Sequence, residues 1–97
     1  MTEPVINQVA ERNRFTLSIG DEVIGKALYT DADGRRTFVH TEVDPAHEGH
    51  GYASLLISTA VAETRDQNLR IVGQCPMVAH WLGKHPEYDE FVDPVGS

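Results

Sequence analysis

Two glycines one residue apart, Gly49 and Gly51, stand between a β-branched run that ends in a proline turn and an amphipathic helical pattern. Glycine lacks a Cβ atom, so a ligand can approach its backbone closely. The first N–H groups of a helix have no partner within the helix, and the helix dipole favours anions there. Strand, glycine loop and helix start together predict a cradle for the phosphate oxygens of a cofactor. The alternative is a turn that only links strand to helix.

Two other side chains suit proton transfer. His40 and Glu42 are two residues apart in a predicted strand, so they share one face. Either could accept a proton from a reacting group, directly or through water, and the alternative is a solvated pair near a sheet end. His47 and His50 lie close together, but their spacing is that of a loop and no Cys or His pair completes a tetrahedral set. We therefore expect no metal.

The acidic composition narrows the class of partner. Eight Lys and Arg against fifteen Asp and Glu give a net charge of −7. A nucleic-acid binder needs a basic face, so we expect no nucleic-acid partner. The charge favours an amine, a polyamine or a lysine-bearing peptide, unless the acidity only keeps the protein soluble.

The cysteine count, the hydropathy pattern and the length predict the compartment and the number of domains. Cys75 is the single cysteine, which excludes an intrachain disulfide and fits a reducing compartment. The N-terminus has no apolar run like a signal, and no stretch approaches the length of a membrane span. We expect a soluble, cytoplasmic protein with no membrane partner, either a monomer or a weak dimer through a free strand edge. Ninety-seven residues predict one domain over 1–97.

Periodicity predicts the elements that position these residues. Alternating apolar positions and turn signals indicate an antiparallel meander of three strands, at 14–19, 23–30 and 36–44. The first dozen residues allow an edge strand or a loose arm. An apolar stripe predicts a helix over 51–67, and a short strand follows at 69–72.

Strand, helix and strand in this order form a βαβ unit, so its two strands should be parallel and its crossover right-handed. Pro76 suits the first turn of a second helix, which Pro86 ends, and residues 88–92 should fold back as a short tail. The predicted fold class is mixed α/β (α+β), with a meander, a βαβ unit and a C-terminal helix.

Two motifs carry a family resemblance. The run Glu48-Gly49-His50-Gly51-Tyr52-Ala53 resembles the acyl-CoA-binding motif of the GNAT superfamily of N-acyltransferases, Gln/Arg-x-x-Gly-x-Gly/Ala. The later run from Cys75-Pro76 to His85-Pro86-Glu87-Tyr88 resembles a minimal, single-domain GNAT-like family of about this length. The resemblance covers residues 14–92. Glu48 departs from the motif, because a carboxylate there does not attract a diphosphate.

The resemblance implies acetyl-CoA or CoA as the cofactor and a V-shaped splay between the strand ending near Val43 and the strand at 69–72. Backbone groups on the first strand would bond the pantetheine amides, and an N–H would polarise the thioester carbonyl. The implied cofactor-binding residues are Thr41, Val43, Glu48, Gly49, His50, Gly51, Tyr52, Ala53 and Ser54.

The resemblance also assigns candidate catalytic residues. His40 or Glu42 would take the amine proton. Cys75 would accept an acetyl group, line the acyl pocket, or be a small buried core residue. Tyr88 resembles in role the tyrosine that protonates the departing thiolate, or it is a packing aromatic. The implied activity is N-acyl transfer from acetyl-CoA to an amine or basic peptide. The alternatives are a CoA-binding module without transfer and a CoA-independent interaction domain.

Overall fold

Five strands form one sheet in the order β1-β2-β3-β4-β5 in a computed structural model that describes residues 3–96. Strands β1 to β4 are antiparallel neighbours, and β5 is parallel to β4. Three 3₁₀ turns, Ala10–Arg12, Pro45–His47 and Pro86–Phe91, join or follow the main elements. The main elements are β1 (Pro4–Val9), β2 (Arg14–Ile19), β3 (Glu22–Ala32), β4 (Arg35–Val43), α1 (Tyr52–Asp66), β5 (Arg70–Gly73) and α2 (Pro76–Gly83).

The predicted mixed fold is confirmed, with one difference in the meander. It has four antiparallel strands where the pattern predicts three, because the N-terminal segment pairs along the whole of β2 as an edge strand. The turn between β3 and β4 is the two-residue loop Asp33-Gly34, both with positive φ. This is the backbone that tight hairpins require, and Asp-Gly adopts it readily.

A β-bulge interrupts the pairing of β3 with β4. Tyr29 lies opposite Phe38 and Leu28 lies opposite His40, so Val39 is an extra residue in β4. Regular alternation from the buried Phe38 would turn His40 inward. With the bulge, His40 is exposed and Thr41 is buried. Bulges re-aim side chains and bend the strand that carries them.

Strands β4 and β5 are paired over only part of β4. Residues 35–38 of β4 pair with residues 70–73 of β5. One further hydrogen bond closes the pair, from the Cys75 N–H to the Phe38 carbonyl at 2.8 Å. Residues 39–43 continue beyond this point and, within residues 3–96, have only β3 as a neighbouring strand. The predicted parallel pair and its splay are therefore present.

The hydrophobic core lies between α1 and the sheet, with α2 packed against β5 and β4. Burial of these apolar side chains supplies the main driving force for folding. Gly73 permits the close approach of α2, because a Cβ there would lie 3.1 Å from Leu82 Cδ1 and 3.3 Å from the Ala79 backbone. The core side chains are Phe15, Leu17, Ile24, Ala27, Tyr29, Phe38, Leu56, Ile57, Ala60, Val61, Ile71, Cys75, Val78, Trp81 and Leu82.

The C-terminal segment folds back onto β5, as the sequence predicts. Val92 forms a parallel bridge with Ile71, and the Asp93 N–H donates to the Ile71 carbonyl at 2.8 Å. The Asp93 carboxylate accepts hydrogen bonds from Arg70 at 2.9 and 3.0 Å and from Arg35 at 2.9 Å. Bonds from Arg70 and then Arg35 hold the pKa of Asp93 below its usual value. No helix in residues 3–96 is long and apolar enough to cross a membrane.

Candidate functional site

The loop between β4 and α1 is shaped by a capped turn and two glycines. Asp44 caps the turn Pro45–His47, its carboxylate accepting from the Ala46 N–H at 2.9 Å. Gly49 (φ +87°) and Gly51 (φ +75°) then take left-handed conformations, which favour glycine. A Cβ at either glycine would meet no atom within 4 Å. Backbone conformation therefore accounts for both glycines, and the space beside them is open.

The backbone N–H groups of residues 49–54, at the end of this loop and the start of α1, are free of partners within the described chain. The first hydrogen bond of α1 runs from the Leu55 N–H to the Gly51 carbonyl at 3.0 Å. No N–H of residues 49–54 donates to another residue between 3 and 96, and no side chain caps the helix. Such groups at a helix start suit an anion, and the helix dipole adds to the attraction.

An open cavity of about 520 Å³ lies against this loop. Glu42 and Val43, at the unpaired end of β4, form one wall, and Met77 of α2 forms another. The loop wall contains His47, Glu48, Gly49, Gly51, Tyr52, Ala53 and Ser54. The cavity thus joins the free N–H groups to the open end of the splay. The ring of His50, the remaining loop residue predicted to bind cofactor, stacks on Tyr52 with ring centroids 5.4 Å apart.

On the exposed face of the sheet, His40 and Glu42 lie together, with Lys26 beside them. The Glu42 carboxylate is 3.1 Å from Lys26 Nζ and 3.3 Å from His40 Nε2. Hydrogen bonds from Lys26 and then His40 lower the pKa of Glu42. An ionised carboxylate only accepts hydrogen bonds, so Nε2 of His40 must carry the proton between them. In neutral His40 the free lone pair is then on Nδ1.

Cys75 and Thr41 lie on the opposite, buried face. Cys75 is 4% exposed and Thr41 is 5% exposed, and the Cys75 thiol lies 3.6 Å from the Thr41 hydroxyl. Cys75 also caps α2 through its backbone, since its carbonyl accepts from the Ala79 N–H at 2.9 Å. Because its own N–H forms the last bond to β4, Cys75 stands at the vertex of the splay.

Tyr88 lies at the end of α1 away from the glycine loop. Its ring centroid is 5.6 Å from that of Trp81 and 5.4 Å from the guanidinium of Arg65. Arg65 is in the last turn of α1, whereas the glycine loop is at the first. At a rise of about 1.5 Å per residue, these two ends are roughly 20 Å apart. The structure therefore places His40 next to Glu42 and Cys75 next to Thr41. Tyr88 instead lies among packed aromatic rings.

The sequence pattern does not predict two residues of the site, Lys26 and Met77. Lys26 reaches Glu42 across the β3–β4 pair, and that register is known only once the bulge is located. Met77 joins the cavity wall because Gly73 lets α2 approach β5. No local motif carries either signal. In residues 3–96, no group of three or more Cys, His, Asp or Glu side chains is placed to hold a metal ion.

A mixed sheet that opens beside a glycine loop at a helix start is the architecture of the GNAT-like N-acyltransferases. The model of the family described as GCN5-related N-acetyl-transferase matches residues 14–91. The chain belongs to this family, whose members transfer acyl groups and generally use acyl-CoA. A comparison with curated protein sequences found no match.

Solved structures show the same fold. A GCN5-like protein from Staphylococcus aureus, known from NMR, has a TM-score of 0.73 at 26% identity, covering 98% of this chain and 93% of that one. A ribosomal-protein-alanine N-acetyltransferase from Brucella melitensis biovar Abortus 2308 has a TM-score of 0.58 at 18% identity, covering 87% of this chain and 65% of that one. A GCN5-related N-acetyltransferase from Kribbella flavida has a TM-score of 0.53 at 28% identity, covering 63% and 18% respectively.

Proposed function

We propose that the protein transfers an acetyl group from acetyl-CoA to an amine, either a small amine or a lysine of a basic peptide. The observation that carries the proposal is the row of unpartnered N–H groups at residues 49–54, which faces a cavity at the open end of the splay. We also propose that 1–97 acts as a single acyl-CoA-binding domain, because one sheet and one core include all five strands.

The diphosphate of CoA would be held by the N–H groups of Gly49, His50, Gly51, Tyr52, Ala53 and Ser54. Helix starts bind phosphate through such groups, and each charge-assisted hydrogen bond contributes roughly 1.5–3 kcal/mol. Glu48 also borders the cavity, and its carboxylate opposes an anion there. Binding would therefore rest on the backbone, with Glu48 weakening it.

The pantetheine arm would lie along residues 39–43 of β4, in the gap that β5 leaves. Thr41 and Val43 would offer unpaired backbone groups to its amides, and a backbone N–H would polarise the thioester carbonyl. Acetyl-CoA supplies the activated thioester. Cys75 at the vertex would line the acyl end, with Thr41 fixing the direction of its thiol. A covalent acetyl-Cys75 is the competing role.

The acceptor amine would approach from the exposed face, where His40 and Glu42 lie. Glu42 stays ionised and orients His40, and Nδ1 of His40 would take the proton that the amine must lose before it attacks. The amine nitrogen bonds to the thioester carbon as the carbon–sulfur bond breaks, and the further proton that the nitrogen then loses passes to the sulfur, so that CoA leaves as the thiol. Tyr88, which contacts the Trp81 ring and the Arg65 guanidinium, would act by packing.

A second candidate function is CoA binding without transfer. The observation that favours it is the separation of the candidate groups, because His40 and Glu42 lie on one face of β4 and Cys75 and Thr41 on the other. Steady release of CoA thiol in the presence of amines or lysine peptides would exclude it. Binding with no release against a broad panel would establish it.

Calorimetric titration with acetyl-CoA tests the proposal, and two glycine variants sharpen it. Gly51 and Gly34 have φ of +75° and +77°, with open space around both. Alanine in this conformation costs roughly 1–2 kcal/mol of stability, so Gly51→Ala and Gly34→Ala should be destabilised alike. Only Gly51→Ala should lose affinity, by about tenfold, the equivalent of one charge-assisted hydrogen bond.

Gly34 is the matched control because it lies in the β3–β4 hairpin turn, away from the glycine loop. An equal loss of affinity in both variants would mean that the glycine loop has no special role. No heat from the unaltered protein at millimolar acetyl-CoA would end the acetyl-CoA assignment. Mass spectrometry of the intact protein after turnover would decide whether Cys75 carries an acetyl group.

A further inference from the structure

Lys26 lies directly across the sheet from Glu42. The register of β3 with β4 places the two residues opposite each other, and side chains at such positions are close enough to interact. The Lys26 ammonium is 3.1 Å from Oε1 of Glu42, and among residues 3–96 this is the one carboxylate within ion-pair distance of it. On the other side of Lys26, β2 presents the uncharged Thr16. The sheet therefore gives this lysine one charged partner, Glu42.

The two oxygens of the Glu42 carboxylate have different partners. Oε1 faces Lys26, whereas Oε2 is 3.3 Å from Nε2 of His40. The three side chains thus form a row in which Glu42 stands between Lys26 and His40. The bulge at Val39 makes this row possible, because it turns His40 to the face that carries Lys26 and Glu42.

Lys26 matters more for the direction of Glu42 than for its charge. The hydrogen bond from Lys26 is the largest of the effects that lower the pKa of Glu42. A glutamate has an ordinary pKa of about 4.3, so Glu42 would be ionised at neutral pH even without the lysine. The Glu42 side chain is 51% exposed, however, and an exposed side chain keeps much of its rotamer freedom unless it is held. Lys26 is the partner that restricts this freedom.

The other neighbours of His40 do not compete with Glu42 for its ring. Leu28 lies opposite His40 in β3, and Arg14 lies beyond Leu28 in β2. The Arg14 guanidinium is directed elsewhere, with its Nε 3.5 Å from the Arg12 carbonyl. In the part of the chain that the structure describes, Glu42 is the carboxylate within ion-pair distance of His40. The orientation of the ring therefore depends on where Glu42 points.

An open cavity of about 350 Å³ gives a substrate access to this row. Lys26 and Glu42 form part of its wall. It shares Glu42 and Val43 with the cavity beside the glycine loop, so the two cavities meet at the unpaired end of β4. An amine that enters here would reach the row before it reaches the thioester.

We propose that Lys26 is a positioning residue for acyl transfer, which acts through Glu42 on His40. The inference rests on the proposed function, because it takes His40 as the group that accepts the amine proton. By holding Oε1 of Glu42, Lys26 directs Oε2 at Nε2 of His40, and this keeps the Nδ1 lone pair of His40 available to the amine. Lys26 itself takes no proton and forms no bond in the reaction.

The test measures kcat at saturating acetyl-CoA and amine. Lys26→Met keeps the length of the side chain and removes its charge. It should lower kcat by about threefold to tenfold, a fraction of the roughly hundredfold or more that a general base contributes, and leave the affinity for acetyl-CoA unchanged. Lys26→Arg keeps the charge and should restore most of kcat. Arg14→Met removes the same charge from the same face of the sheet, away from Glu42, and should keep kcat.

A double variant tests whether Lys26 acts through Glu42. Groups that act as a unit have non-additive effects, so Lys26→Met should cost nothing further once Glu42→Gln is in place. A second measurement needs no activity. In a carbon-13 NMR titration of the side-chain carboxyl, the pKa of Glu42 should rise in Lys26→Met, because the hydrogen bond that lowers it most is lost.

Four results would overturn the inference while leaving the proposed function in place. These are an unchanged kcat in Lys26→Met, an equal loss in Arg14→Met, losses that add in the double variant, and a Glu42 titration that is the same with and without Lys26. Absence of transfer by the unaltered protein with every amine tested would instead reject the proposed function, and this inference with it. If Lys26→Met does not fold, Lys26→Gln, which is also uncharged, takes its place.

Discussion

The two ends of β4 differ in the number of neighbouring strands and in what their residues contact. Residues 35–38 have a strand on each side, and their side chains include a buried Arg36 paired twice with Asp31 at 2.8 Å. Within residues 3–96, residues 39–43 have a strand on one side only, and the last two, Glu42 and Val43, border the cavity beside the glycine loop. The first end, which we call the paired half, anchors the core, and the second, the open half, is the end that we propose offers its backbone to a ligand. Along β4, the residues that stabilise the core are thus distinct from the residues that we propose bind the ligand.

The largest expected effect comes from the paired half. Phe38 is 1% exposed and packs against Phe15 and Tyr29, with ring centroids 6.4 and 6.1 Å away. Phe38→Ala should lower the free energy of unfolding by about 3–5 kcal/mol, because it removes a buried ring and leaves a cavity. Val39→Ala, one residue further and 36% exposed, should cost less than about 0.5 kcal/mol.

Urea denaturation of both variants measures this contrast. Similar losses at the two positions would mean that the boundary between the halves lies elsewhere. A Phe38→Ala chain that is already unfolded in buffer still satisfies the expectation, provided that Val39→Ala remains folded.

A smaller effect is expected from the ion pairs that hold the C-terminal segment to the paired half. Arg70 and Arg35 lower the pKa of Asp93, so ionised Asp93 stabilises the folded state at pH values above its unfolded pKa, near 4. This contribution is lost as the pH falls through the lower, folded pKa. Asp93→Asn should therefore be less stable than the unaltered protein at pH 7. This difference in stability should disappear below about pH 4.

Thermal unfolding of the two proteins between pH 2 and pH 7 would measure this difference in stability. Glu42→Gln is the useful comparison, since its carboxyl also has a lowered pKa but lies in the open half. Its effect on stability should be smaller, because Glu42 is exposed and surface pairs contribute little. A gap between Asp93→Asn and the unaltered protein that stays constant at all pH values would contradict the role of the ion pairs.

The smallest expected effect is a gain in affinity at the open half. Glu48 places a carboxylate where the acyl-CoA motif has Gln or Arg, and it borders the cavity beside the loop. Glu48→Gln should strengthen acetyl-CoA binding about twofold to fivefold by removing an exposed like charge. Titrations at low and high salt would check the cause, because the gain should shrink as salt screens the charge.

Much of the fold can be read from local periodicity. The alternation of Phe15, Leu17 and Ile19 predicts β2, and the apolar stripe predicts α1 to within a residue at each end. Edge strand β1 is harder, because Pro4 and mixed polarity leave an arm equally possible. A strand at an edge has few buried side chains, so its pattern is weak.

The residues of the candidate site could be proposed in outline from the sequence, and the faces on which their side chains lie could not. The shared face of His40 and Glu42 follows from strand geometry, and the glycine loop follows from its place before a helix. Which face those side chains occupy depends on the bulge at Val39, which belongs to the pairing with β3 and has no signature within β4. The part of the cavity wall formed by Met77 depends on how α2 packs, so long-range contacts decide it.

The bulge at Val39 has a kinetic consequence. It falls directly after Phe38, the last residue of β4 paired with β5, and a bulge bends and twists its strand at that point. The two strands therefore already diverge in the unliganded backbone. No sheet hydrogen bonds have to break before a ligand enters. Association should be a simple bimolecular encounter, with an observed rate that rises linearly with ligand concentration and shows no plateau from a preceding opening step.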